Sequence, residues 1–245
     1  MKMELTVPNT LSEITLKQYQ KFLKIQETNK DDAFLRFKMI EIFCNIDAKA
    51  VRQLRLSDTD KIIEILNNVF EEKPQLTETF KLGDVEYGFI PKLEDISLGE
   101  YVDLDTYIGN WDQMHVAMNV LYRPIKDKIK DKYTIKEYNA DAEKPLDEIP
   151  LDIVFGAIFF FLQFRDRLVQ NYDELFGNGG GTELNASANF GRKWGWYQSI
   201  FALAQGDIRR FKNITKLGVH ECFMMLSFMK DKSEMEAKQI KKKFK

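Results

Sequence analysis

The 245-residue sequence is poor in the residues that most often announce a chemistry or a covalent staple: it has 2 Cys, 2 His and 6 Pro. Cys44 and Cys222 are too few for a disulfide framework, and two unpaired thiols fit a reducing cytosol. Neither has a His or a second Cys at ligand spacing, and His115 and His220 form no His-Glu-x-x-His pair, so no metal site is expected. The 13 glycines carry no collagen repeat. No apolar stretch follows Met1, so no secretory leader is expected. The longest apolar run, 153–162, has ten residues, whereas a membrane-spanning helix needs about 20. That run reads as a buried helix.

What the chain does have is ring surface: 19 Phe, 9 Tyr and 3 Trp, with 44% hydrophobic residues overall. This is enough apolar material for a sizeable core and excludes a disordered chain. The formal charge of −2 hides an asymmetry. Residues 191–245 hold 13 Lys/Arg against 5 Asp/Glu, and residues 1–190 hold 23 against 33. A charge split of this kind marks a candidate interaction arm.

Apolar spacing and caps predict a mainly α fold. Thr15 and Gln18 have capping-box spacing ahead of Leu16, Tyr19, Phe22 and Leu23. Asp32 is the expected cap of a second helix with Phe34, Phe37, Ile40 and Cys44 on one stripe. Asp47 is the cap of a short third, and Ser57 or Asp58 of a fourth that buries Ile62, Ile63, Leu66, Val69 and Phe70. The pattern then alternates. Phe80-Lys81-Leu82, Gly83-Asp84 and Val85-Glu86-Tyr87 predict a β-hairpin near 79–90. A hairpin alone is marginal in water and needs helices or further strands to pack on.

Ser97 and Glu100 repeat the capping-box spacing before Tyr101, Leu104, Tyr107 and Ile108. A helix from Trp111 is expected to close at Arg123-Pro124. The charged stretch after Ile125 is expected to be loop or a short strand pair around Tyr133, and Pro150 to open the most apolar helix. Gly177-Asn178-Gly179-Gly180-Gly181-Thr182 begins the clearest linker signal. The expected organisation is therefore an acidic, mainly helical bundle over 1–176 with the β-hairpin inserted, a Gly-rich linker over 177–190, and a basic helical arm over 191–245. In the arm, Trp194 to Ala204 forms one helix, Gly206-Asp207 ends it, and Thr215 caps a long last helix.

No catalytic constellation emerges, and no cofactor is expected. The Gly-rich run lacks the Lys-Ser/Thr of a phosphate loop and follows a helix, unlike a dinucleotide fingerprint. No Gly-x-Ser-x-Gly elbow is present. The arm has the outline of a helix-turn-helix. Its would-be recognition helix, Val219-His220-Glu221-Cys222-Phe223-Met224-Met225-Leu226, offers almost no base-reading side chains. Positive charge gathers instead at Lys241, Lys242, Lys243 and Lys245, leaving a non-specific contact with nucleic acid or an acidic partner. Trp194 and Trp196 point to different sides of one helix, so one core cannot take both. With Tyr197, Phe223, Met224 and Met225 they form the candidate partner-binding set.

Four segments of the arm carry a family resemblance: Trp194-Gly195-Trp196-Tyr197, Leu203-Ala204-Gln205-Gly206-Asp207-Ile208, Val219-His220-Glu221, and Leu226-Ser227-Phe228-Met229-Lys230-Asp231-Lys232. So do Gly99-Glu100-Tyr101-Val102-Asp103-Leu104 and Val120-Leu121-Tyr122-Arg123-Pro124. Together they resemble virion structural and tail-assembly proteins of tailed bacteriophages, of the crAss-like type. The resemblance implies a non-enzymatic subunit made in the host cytoplasm and working through contacts with portal, neck, tail or capsid proteins, as a homo-oligomer or ring and without a membrane. It would be a virion component or a tail assembly chaperone absent from the finished particle.

Overall fold

A computed structural model describes residues 5–130, 132–139, 146–176 and 194–243. The fold is mainly α, with eleven α-helices and one small antiparallel sheet among the described residues. No helix among them is long and apolar enough to cross a membrane. The chain forms two compact units, Met1–Phe89 with Tyr107–Phe160, and Ile90–Thr106 with Phe161–Lys245.

The first unit begins with α1 (Leu16–Thr28), where the expected capping box is complete: Gln18 N–H donates to Thr15 Oγ1 at 3.2 Å and Thr15 N–H to Gln18 Oε1 at 2.9 Å. Backbone bonds from Leu16 to Ile149 (2.9 Å) and from Leu151 to Ile14 (2.8 Å) tie this start to the start of α7 (Leu151–Asn171). Leu11, Ile14, Leu16, Ile149 and Leu151 are fully buried there. α2 (Asp32–Phe43) is capped by Asp31, one residue before the expected Asp32, and α3 (Ala48–Arg52) by Asp47 as expected. α4 (Leu56–Phe70) starts after Arg55 with no side-chain cap, so Ser57 and Asp58 lie inside the first turn. It buries Ile62, Ile63, Leu66 and Val69.

β1 (Thr79–Leu82) and β2 (Val85–Phe89) form the expected hairpin, turning at Gly83 with φ +57. The hairpin is half of a sheet ordered β1-β2-β3-β4. The helix expected from Trp111 is a 3-10 turn followed by α6 (Met114–Leu121), and β3 (Tyr122–Ile129) follows without a loop. Pro124, expected to end the helix, lies within β3 opposite Tyr87, and the ladder shifts register between Ile125 and Asp127. β4 (Lys132–Ile135) completes the sheet. The Tyr133 ring packs against Gly88, where an added Cβ would come within 2.4 Å of it, and its hydroxyl donates to the Phe89 carbonyl at 2.9 Å. Tyr19, Trp111 and Phe155 meet edge to face at 4.9–5.8 Å between ring centroids.

The second unit is helical. α5 (Leu98–Tyr107) has its expected box: Ser97 N–H donates to Glu100 Oε2 at 2.9 Å and Glu100 N–H to Ser97 Oγ at 3.3 Å. α8 (Asp173–Phe176), α9 (Trp196–Leu203), α10 (Phe211–Ile214) and α11 (Val219–Lys243) follow, with Gly206 ending α9 in a left-handed conformation, φ +77. Thr215 does not cap the last helix. Its carbonyl accepts from Gly99 N–H (2.8 Å) and the Leu217 carbonyl accepts from Leu98 N–H (2.8 Å), so this stretch pairs with the start of α5 and α11 begins only at Val219.

The two units divide the chain elsewhere than at the Gly-rich segment: among the described residues, 194–243 pack with Ile90–Thr106 and with the end of α7. The second unit holds 16 Lys/Arg and 14 Asp/Glu, the first 20 and 24, so the acidic-body and basic-arm contrast shrinks to a mild one. The linker expected at 177–190 lies outside the described residues.

Candidate docking surface

The core of the second unit is a cluster of rings around Phe223. Trp196 stacks parallel on Phe223 at 5.8 Å, while Tyr101, Tyr172 and Phe176 meet it edge-on at 5.3–5.5 Å. Phe223 is fully buried because α11 buries Val219, Cys222, Phe223 and Ser227 on one face, at helical spacing. Such burial of a Phe contributes about 1.5–3 kcal/mol. Its place in the partner-binding set is therefore corrected: Phe223 is a core residue. Trp196 is half-buried in the same cluster, with its indole N–H donating to Asp105 Oδ2 at 2.9 Å. It holds α9 to α5 and presents little surface to a partner.

The other members of the set face outward. Trp194 and Tyr197 are exposed and touch each other, ring centroids 5.6 Å apart. Met224 is 66% and Met225 45% exposed. Phe228, one turn beyond Met224, is 58% exposed and was not in the expected set. Its spacing of four from Met224 is the signal that marks it. Of these, Met224, Met225 and Phe228 border an open groove of about 490 Å³ that Leu203, Ile214, Leu217, Cys222 and Glu221 also line; Trp194 and Tyr197 do not line it. Phe201 and Ile208 add exposed apolar surface from α9 and the turn after it. Burial pushes the Cys222 thiol up to about 11, with the Glu221 carboxylate adding to the shift, so the thiol stays protonated and inert.

The polar residues near this face serve structure. Tyr172 Oη lies 3.2 Å from His220 Nδ1 and donates to the His220 carbonyl at 3.1 Å, which makes His220 a packing residue. Arg209 chelates Asp207 through two bonds of 2.9 Å and holds the Asp207 carboxyl below the usual range. Lys241, Lys242 and Lys243 are exposed on the last turn of α11, where they also complement the negative end of the helix dipole. Lys245 lies outside the described residues. No group of three or more His, Cys, Asp or Glu side chains is placed to hold a metal ion among the described residues.

No family model matches this chain, and comparison with curated proteins and with solved structures found no match.

Proposed function

We propose that this chain is a non-enzymatic virion component of a tailed bacteriophage, in a neck or tail ring or as packaged cargo, that acts through protein–protein contacts during particle assembly. The supporting observation is the groove on α11. Met224, Met225, Phe228 and Leu217 expose contiguous apolar side chains around it. Soluble chains rarely leave such a patch uncovered unless something docks there. Methionine suits this use because its flexible thioether conforms to a partner surface. The phage assignment rests on the resemblance of the α5, α6, α9 and α11 segments.

The test is mass spectrometry of purified particles combined with a surface variant. The wild-type chain is expected at stoichiometric levels, and Met224→Asp with Phe228→Asp is expected to abolish incorporation while leaving the isolated chain folded. Stoichiometric absence of the wild-type chain would replace this reading with the tail assembly chaperone, for which the same face would shield apolar tail subunits before the particle is finished.

A further inference from the structure

The β3–β4 ribbon of the first unit carries a charge pattern that the docking reading does not use. Between residues 126 and 136 it exposes five lysines, Lys126, Lys128, Lys130, Lys132 and Lys136. Lys128 is held by Glu86 at 2.5 Å, and that bond keeps the Glu86 carboxyl below its usual range. The other four lysines form no ion pair among the described residues. Two acids fall between them in the sequence: Asp127, which accepts from the Thr134 hydroxyl at 3.2 Å, and Asp131, which lies outside the described residues, so the lysines outnumber the acids five to two.

The ribbon is narrow and firmly based. β3 pairs with β2 only over Tyr122, Arg123 and Pro124, and from Ile125 onward it pairs with β4 alone. Its base is pinned by Tyr133, which lies on Gly88 and bonds the Phe89 carbonyl. At its tip Ile129 is 76% exposed and pairs directly with Lys132. Lys130 takes a left-handed conformation, φ +54, at a turn position that favours Gly or Asn. A lysine there adds charge at the tip where local geometry would choose a smaller residue.

We infer that this ribbon is a non-specific contact for duplex DNA, with Lys126, Lys130, Lys132 and Lys136 on phosphates and Ile129 entering a groove. A two-stranded ribbon has the width that a DNA groove admits. An apolar residue at the tip of a basic element is the arrangement that duplex-bending proteins use to wedge base steps. One isoleucine buries too little area to anchor the chain in an anionic membrane. The lysines flank the tip on both strands, as phosphates flank a groove. This inference stands apart from the groove on α11, and its failure would leave that reading intact.

The experiment uses the full chain and a short random-sequence duplex, followed by fluorescence anisotropy across a salt series from about 50 to 200 mM. The expected slope of log K against log salt is about −4, from about −0.9 for each of four phosphates. Replacing Lys130 and Lys132 by Gln should flatten the slope by about 2. Ile129→Ala should weaken binding several-fold and leave the slope unchanged. An unchanged thermal melt of each variant keeps these outcomes readable. The inference is overturned if the duplex does not bind at the lowest salt. It is equally overturned if the Lys130→Gln, Lys132→Gln variant binds like wild type while Lys241→Gln, Lys242→Gln, Lys243→Gln does not, or if phosphatidylserine vesicles or polyglutamate compete better than the duplex.

Discussion

The two units expose similar kinds of apolar side chain but arrange them differently. In the first, the exposed large residues are spread over four elements: Phe34 on α2, Leu56 and Ile65 on α4, Ile129 on β3, and the neighbours Phe159 and Phe160 on α7. In the second, Leu217, Met224, Met225 and Phe228 gather around one groove. Single exposed apolar residues are ordinary on any protein surface, whereas a contiguous set marks an interface. The cores differ in the same sense. The first unit distributes its burial over helix starts and a sheet, so that many side chains share the load. The second concentrates it in one ring cluster centred on Phe223.

The largest expected effect follows from that concentration. Phe223→Ala should cost about 3–5 kcal/mol, the range for removing a buried Phe. Hydrogen exchange should show lost protection in α5, α9 and the first half of α11 before β2 and β3 respond. Equal loss in both units would break the comparison by showing one cooperative core. Gly156→Ala is the counterpart in the first unit. Its Cβ would come within 2.3 Å of the Gln75 carbonyl oxygen, a backbone atom that yields little, and the overpacking should cost about 2 kcal/mol in a urea titration.

Next in size is a pH effect that both units share. Burial raises Cys44 and Cys222 from an ordinary value of 9.0 to about 11. The folded state therefore holds the thiol protons longer than the unfolded chain does. The stability this gives is fully present below about pH 9 and is lost as pH rises toward about 11. Thiol labelling at pH 8 should be slow for both until urea unfolds the chain; fast labelling of one alone would show which unit opens first. The smallest effect should come from Met225→Ser, at a position 45% exposed on the groove, which should shift stability by less than about 0.5 kcal/mol while weakening partner association. A larger loss of stability would mean that the groove is part of the core.

Local signals placed many elements correctly. The Thr15–Gln18 and Ser97–Glu100 boxes, the Asp47 cap and the Gly83–Asp84 turn each depend on side chains within a few residues of the backbone they satisfy. Failures occurred where a distant segment competed. Thr215 was the expected cap of α11, but its hydroxyl donates to the Lys212 carbonyl, and pairing of the Thr215 and Leu217 carbonyls with Gly99 and Leu98 delays the helix to Val219. Tyr122 was read as the end of a helix because Pro124 follows, while pairing with Phe89 and a ring contact with Phe80 draw it into β3. At the docking face, helical periodicity already places Phe223 with Val219 and Cys222. It was the density of aromatic and Met residues along α11 that hid which face was which. The charge split failed for a different reason: net charge along the chain follows sequence, and the Ile90–Thr106 segment carries its acids into the second unit.

The far half of α11 has a mechanical consequence. From 231 to 243 every residue is exposed, whereas Val219, Cys222 and Phe223 at the near end are buried, Phe223 within the ring cluster. The 25-residue helix is about 37 Å long at 1.5 Å per residue. It is a stiff lever with its fulcrum in the core. A load on the lysine-rich tip is delivered as torque to Phe223 and the rings packed on it. Whatever grips the tip thus gains leverage over the interior of the second unit without touching it.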